Sequence, residues 1–258
     1  MMTNSLFEMS GKTVLVTGAG GGIGAAITGA FLESGATVVA TDANKDALER
    51  TLATIEGGDR VLALSMDVTS EADIGRVMDT VAERFGRIDV LVNNAGIKSG
   101  EKLLSGDTSK IEKTMEINSG AVLLCSKLVV NRFMKDGGGR IVNIGSSLSS
   151  QGAVFNYQAG GADYCYSKAV VHDLTKLLAY ECAPLGINVN GVAPGIIDTP
   201  MHGRPREETE ARHAGRIPLA RVGTPEDVAG LAVFLATPAA TYITGQIVHV
   251  NGGMLMNG

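Results

Sequence analysis

Seven short runs rich in β-branched residues recur along the chain, at 13–17, 37–41, 61–65, 90–93, 140–144, 188–192 and 247–250. They are nearly continuous apolar stretches rather than alternating ones. That pattern marks strands buried on both faces, as in a parallel sheet covered by helices. The segments between them are long enough for the crossovers that parallel neighbours require. Helix starts are legible as well. Ser70-Glu71-Ala72-Asp73 offers a hydroxyl N-cap with an acid three residues on. Thr224-Pro225-Glu226-Asp227 places a cap, a proline at the first helical position and two acids at the positive end of the dipole. No linker, repeat or charge block divides the chain. The expected fold is therefore α/β, a single-domain Rossmann-like doubly wound parallel sheet of about seven strands with helices on both faces, over residues 1–258.

Composition narrows the function. The 258 residues hold 34 glycines and 7 prolines, well below the ~25–30% of low-complexity chains, so the glycines serve turns and close approaches. Net charge is −5 and no basic run exceeds two residues, which argues against a nucleic-acid partner. The cysteines Cys125, Cys165 and Cys182 form no CxxC pair, and His172, His202, His213 and His249 lack metal-ligand spacing. No metal and no disulfide framework is expected. No apolar run approaches the ~18 residues of a membrane span, and the first residues put no cationic segment before an apolar one. The expectation is a cytoplasmic protein without a membrane partner.

The first apolar run leads into Thr17-Gly18-Ala19-Gly20-Gly21-Gly22-Ile23-Gly24, and a helical pattern opens there with Ala25, Ala26, Ile27, Ala30 and Phe31. A turn between strand and helix aims free N–H groups and the helix dipole at an anion, and glycine lets the backbone approach a pyrophosphate. Asp42 ends the second run, 18 residues past Gly24. A carboxylate there accepts from ribose hydroxyls and repels a 2′-phosphate. The next cation along is Lys45. The reading favours NAD over NADP.

These residues resemble the short-chain dehydrogenase/reductase family. The family's Thr-Gly-x-x-x-Gly-x-Gly turn matches Thr17, Gly18, Gly22 and Gly24, and its Asn-Asn-Ala-Gly segment matches Asn93, Asn94, Ala95 and Gly96. Its asparagine falls on Asn118, its serine on Ser146, its Tyr-x-x-x-Lys pair on Tyr164 and Lys168, and its Pro-Gly-x-x-x-Thr element on Pro194, Gly195 and Thr199. Tyr242-Ile243-Thr244-Gly245 and Val250-Asn251-Gly252-Gly253 are similar too, so the resemblance spans roughly residues 10–253 in the family's order. Of five tyrosines, Tyr164 alone has a lysine four positions on, where two helical side chains share a face.

The resemblance implies hydride transfer between a nicotinamide cofactor and a secondary alcohol or ketone. A phenol has a free pKa of ~10, too high for a base at neutral pH. Lys168 and a cationic nicotinamide would favour phenolate, which makes Tyr164 the expected general base for oxidation and acid for reduction. Ser146, rather than the adjacent Ser147, is expected to hydrogen-bond the substrate oxygen. By resemblance, Lys168 also reaches the nicotinamide ribose and Asn118 holds a water linking Lys168 to solvent. Asp67 and Val68 flank adenine; Asn94, Ala95 and Gly96 line the adenosine side; Ile23 belongs to the phosphate turn; Ile197 and Thr199, after Pro194 and Gly195, orient the nicotinamide.

The chain departs from the family at the substrate end. Ser146 and Tyr164 lie 18 positions apart, against about a dozen in the family. The extra residues fall in 152–163, where Phe155 and Tyr157 are candidates to line the substrate pocket; the alternative is a neutral surface insertion. Residues 200–216 read either as a substrate lid, whose Arg204, Arg206, Arg212 or Arg216 meets an acidic substrate, or as a solvated helix with Glu208 and Arg212 paired. The family is commonly tetrameric, so a homotetramer is expected, with 121–130 and 247–256 as contact segments. Three functions follow. The first is an NAD-dependent alcohol dehydrogenase or ketoreductase acting on a small alcohol or ketone. The second is a carrier-linked 3-oxoacyl reductase, which would prefer NADP and a basic docking patch that Ala183-Pro184-Leu185 does not supply. The third is a non-catalytic dinucleotide-binding regulator, disfavoured by the intact Ser146, Tyr164 and Lys168.

Overall fold

Apolar side chains point to both faces of every central strand, and that alone dictates three layers. A computed structural model describes residues 6–150 and 161–256. Its strands are β1 (Thr13–Thr17), β2 (Thr37–Asp42), β3 (Val61–Ser65), β4 (Val90–Asn93), β5 (Gly139–Ile144), β6 (Ile187–Pro194) and β7 (Ile247–Val250). They form one sheet in the order β3-β2-β1-β4-β5-β6-β7, with every pairing parallel. Val14 and Val16 face one side, with Ile27, Phe31, Val228 and Ala232; Leu15 faces the other, with Ile74, Val81, Cys125 and Leu178. The first face is covered by α1 (Gly22–Glu33) and α9 (Pro225–Ala236), the second by α3 (Glu71–Phe85), α5 (Ala121–Val129) and α7 (Ala162–Cys182).

The two sequence caps behave as expected. The Ser70 hydroxyl accepts from the Asp73 N–H at 3.2 Å and opens α3. Thr224 and Asp227 make a reciprocal capping box at the start of α9. Three strands are longer than the apolar runs: β2 by Asp42, β5 by Gly139, and β6, which spans Ile187–Pro194 rather than 188–192. β5 pairs with Ile187–Val192 and β7 with Gly191–Pro194, so together they cover β6. Its polar Asn188 and Asn190, which interrupt the apolar run, donate instead to the Ile243 carbonyl at 2.9 and 2.8 Å. The segment between β4 and β5 is a near-continuous helical rod of α4 (Thr108–Met115), a wide π-turn at Glu116–Gly120, α5, and a second π-turn at Val130–Met134. Among the described residues no helix is long and apolar enough to cross a membrane.

The strand order reverses between β1 and β4. Chains of this topology open a crevice at the carboxyl ends of the strands flanking that switch point, and the motif residues gather there.

Candidate active site

The glycine turn is sewn to the exit of β4. The Thr17 hydroxyl accepts from the N–H groups of Asn94 and Ala95 at 3.0 and 3.1 Å. The Asn94 amide donates back to the carbonyls of Thr17 and Gly18 at 3.0 and 2.9 Å. Gly18 sits at φ +67°, and a Cβ there would lie 2.7 Å from the Ala95 Cα. The turn then enters α1, whose N-terminus has no side-chain cap and no acid in its first turn. By contrast α2 (Lys45–Leu52), α3, α4 and α9 are capped by Asn44, Ser70, Asp107 and Thr224. An uncapped helix start behind a glycine turn leaves N–H groups for an anion. At the end of β2, Asp42 accepts from the N–H of Gly20 at 2.9 Å and of Asn44 at 2.8 Å.

At the other end of the crevice, α7 carries Tyr164 and Lys168 one turn apart. The Ser146 hydroxyl lies beside the Tyr164 phenol and favours its ionised form. The Lys168 ammonium donates to the Ile144 carbonyl at 2.7 Å and lies 5.9 Å from the centre of the Tyr164 ring. Ser147, the neighbour of Ser146, is turned away: its hydroxyl donates to the Ala193 carbonyl at 2.8 Å. Asn118 lies in the π-turn, and such turns recur at functional sites. Its side chain exchanges hydrogen bonds with the Ile97 backbone at 2.8 and 2.9 Å and donates to Ser167 at 2.9 Å.

The protein's own groups hold the phenol protonated. Burial pushes Tyr164 up to about 12, while the Ser146 hydroxyl pulls it down, so desolvation of the phenolate outweighs that help. Burial brings the Lys168 ammonium down to about 8.

These ends share a crevice of about 400 Å³, within the ~300–1,000 Å³ usual for ligand sites. Of the sequence candidates, Gly18, Gly22, Ile23, Asp42, Asp67, Val68, Asn94, Ala95, Gly96, Tyr164, Lys168 and Thr199 line it. Ser146 and Asn118 lie buried behind that lining. Gly24 packs under the turn, against Gly18 and Asn94. Pro194 and Gly195 close β6 against Val250 and Asn251. The Ile197 side chain is buried with α9 and does not line the crevice, while the flanking Ile196 carbonyl and Asp198 N–H bond the Gly223 backbone at 2.9 Å. Gly20 and Gly21 of the glycine turn and Pro200 and Met201 of the 200–216 segment line the crevice too, as do Ala43, Met66, Ile97, Ile117 and Ile144, which sequence reading does not single out. Ala43, Met66 and Ile144 stand at or just past strand ends, so the switch-point rule was the available signal for them.

Residues 200–216 form a short turn, Pro200–His202, and α8 (Arg206–His213). Met201 reaches the crevice. Arg206 pairs with Glu210 at 3.2 Å and Arg212 with Glu208 at 3.0 Å, both within the helix. Phe155 and Tyr157 lie outside the described residues.

The geometry has counterparts. Residues 18–255 match a protein family described as Enoyl-(Acyl carrier protein) reductase. The chain is 38% identical over 249 residues to a 3-oxoacyl-(acyl-carrier-protein) reductase FabG of Vibrio cholerae, covering 96% of this chain and 99% of that one. It is 38% identical over 250 residues to the protein of the same name from Thermotoga maritima, covering 96% and 100%. A crystal structure of a short-chain type dehydrogenase/reductase from Mycobacterium marinum superposes with a TM-score of 0.90 at 35% identity, covering 98% and 99% of the two chains.

Proposed function

Because the chain belongs to the short-chain dehydrogenase/reductase family of oxidoreductases, we propose that it transfers a hydride between NAD and a secondary alcohol or ketone, with Tyr164 as general acid and base. The observation that carries this reading is the convergence of the Tyr164 phenol, the Ser146 hydroxyl and the Lys168 ammonium on a crevice that ends at a glycine turn and Asp42.

The residues fit a dinucleotide. Gly21 is open to the crevice and Gly96 lies against Asn118 and Lys168, so side chains at these places would fill the cradle. The glycine turn would hold the pyrophosphate, Asp42 the adenosine ribose, Asp67 and Val68 the adenine, and Lys168 and Thr199 the nicotinamide half. A bound nicotinamide dinucleotide supplies or accepts the hydride. Tyr164 then manages the proton: its phenol gives one to a ketone oxygen, or its phenolate takes one from an alcohol. Ser146 donates a hydrogen bond to that oxygen as its charge changes.

The proposed NAD preference rests on Asp42, whose charge would repel a 2′-phosphate. The nearest cation along the chain, Lys45, is drawn to Glu49 at 3.6 Å. Replacing Asp42 with alanine is expected to shift kcat/KM toward NADP by about tenfold, or ~1.4 kcal/mol. Steady-state rates with both cofactors check it; an unchanged ratio removes the repulsion argument.

A second reading, reduction of a carrier-linked 3-oxoacyl thioester, is favoured by the names of the 38%-identical relatives. One panel separates the two: oxidation of secondary alcohols with NAD⁺ and NADP⁺, beside reduction of 3-oxoacyl thioesters on a carrier protein. Activity confined to the thioesters replaces the first reading with the second. Assembly as a homotetramer draws support from apolar side chains on the outer faces of α5 and α7, where Leu123, Tyr166, Leu177 and Tyr180 are exposed.

Lys168 is 3% exposed and makes no ion pair among the described residues. A buried, unpaired ammonium costs stability. Lys168→Met is therefore expected to keep or raise Tm while turnover falls, read by calorimetry and initial rates. The same burial gives a pH signature. Between about 8 and 10 the unfolded chain, with its lysine at the ordinary 10.5, holds a proton that folded Lys168 releases. The Lys168 contribution thus makes stability rise with pH across that window, and the methionine variant should lose this rise.

A further inference from the structure

Helix α7 grips the end of β5 and the loop after it at three successive turns. Tyr164 sets its phenol beside the Ser146 hydroxyl, and Lys168 donates to the carbonyl of Ile144, the last residue of β5. One turn further on, the Nε2 of His172 accepts the backbone N–H of Ser146 at 3.3 Å. We propose that His172 is a positioning residue, whose imidazole fixes the Ser146 backbone and so sets the Ser146 hydroxyl against the Tyr164 phenol. The inference rests on the hydride-transfer reading above.

The site is shaped for the ring. A Cβ on residue 145 would collide with the Nε2 and Cδ2 of His172, so Gly145 lets the imidazole reach the next N–H. His172 is 7% exposed. Its tautomer follows from its partners. A backbone N–H can only donate, so Nε2 presents its lone pair to Ser146. The single hydroxyl proton of Ser149 goes to the Ser146 carbonyl at 2.6 Å. Ser149 is thus left as an acceptor, but its oxygen lies 3.4 Å from Nδ1 and 3.3 Å from Nε2 and does not choose between them; Ser150, 3.4 Å from Nδ1, is placed to accept from Nδ1–H. The imidazole thereby ties three points of one loop together. A neighbouring layer holds Ser147. Its proton is committed to Ala193, so it accepts from Nδ1 of His249 at 2.9 Å. The two rings meet edge to face at 6.5 Å. Burial, with the nearby charges of Lys168 and Lys176 and the His249 ring, brings His172 down to about 4; Asp173 acts the other way. The ring stays neutral at neutral pH, as an acceptor must.

Two measurements test the role. In the full-length protein labelled with ¹⁵N-histidine, NMR at neutral pH should show His172 as the Nδ1–H tautomer with a lone pair at Nε2. An Nε2–H tautomer or a cationic ring overturns the proposal, whether or not the protein turns over an alcohol. In kinetics, His172→Leu should lower kcat by about tenfold or more with the dinucleotide Kd unchanged, since small displacements of reacting groups cost rate. His172→Gln, which retains an acceptor, should recover part of that loss. Equal kcat in the leucine variant and the wild type, or equal losses for leucine and glutamine, overturns it. If the wild type turns over no substrate in the panel, the hydride-transfer reading fails while the tautomer measurement still decides how the imidazole is held.

Discussion

Replacing Tyr164 with phenylalanine is expected to cut turnover by ~10²–10⁴-fold, the usual worth of a positioned acid or base, while NAD still binds. The ring stays and the hydroxyl goes, so packing on α7 is preserved and the proton site is lost. The state of that proton also sets a direction. Burial holds the phenol up to about 12, so Tyr164 carries its proton at neutral pH and is ready as an acid for ketone reduction. Alcohol oxidation needs the phenolate, which becomes more populated as pH rises. Oxidation by the wild type should therefore accelerate with pH above neutrality, while reduction stays level there. The rise of oxidation with pH should vanish in Tyr164→Phe. Retained turnover in the variant would remove Tyr164 from the chemistry. An oxidation rate that is flat up to alkaline pH would place the proton elsewhere, or show that a bound cofactor has already brought the phenol down.

How much of this was legible in the chain depends on whether a feature is local. The strands at 13–17, 61–65, 90–93 and 247–250 agree residue for residue with β1, β3, β4 and β7, because apolar β-branched runs bounded by turn residues define their own ends. β6 extends past the run at 188–192 by Ile187, Ala193 and Pro194, because pairing with the distant β5 and β7 holds these residues in the sheet and cannot be seen locally. The π-turn around Asn118 has no simple sequence signature, since it depends on the Ile97 backbone and Ser167 accepting that side chain. In the crevice, residues in ordered motifs and Met201 of the 200–216 segment are legible along the chain, whereas Met66 and Ile117 line it only through topology. Sequence spacing reports that a lysine is near, but not whether its charge reaches the hydroxyl or how much water the helix excludes.

Gly24→Ala tests the other end of the site and should be the most damaging single methyl in the molecule's phosphate turn. A Cβ on Gly24 would collide with the Gly18 carbonyl oxygen and lie 2.6 Å from the Asn94 amide nitrogen. Those two groups are already joined by the 2.9 Å hydrogen bond that sews the turn to β4. Neither has room to yield, because Gly18 is itself pressed against the Ala95 backbone. The methyl must push α1 away from the turn. Overpacking of this kind costs ~1–3 kcal/mol or more, which lowers Tm by roughly 2–4 °C per kcal/mol in a chain of this size. Displacing the N–H groups of the turn should also raise the Kd for NAD by about 100-fold, or ~2.7 kcal/mol. Gly21→Ala supplies the contrast. Its backbone is extended, a conformation any residue adopts, and a Cβ there meets nothing within 4 Å. That variant should keep its Tm and lose affinity alone, since the methyl stands in the crevice rather than in the packing. Calorimetric unfolding and titration with NAD read both quantities for both variants. Unchanged NAD affinity in the two would mean that the glycine turn is a structural corner and not the cradle of the pyrophosphate, and the hydride-transfer reading would lose its anchor at that end of the crevice.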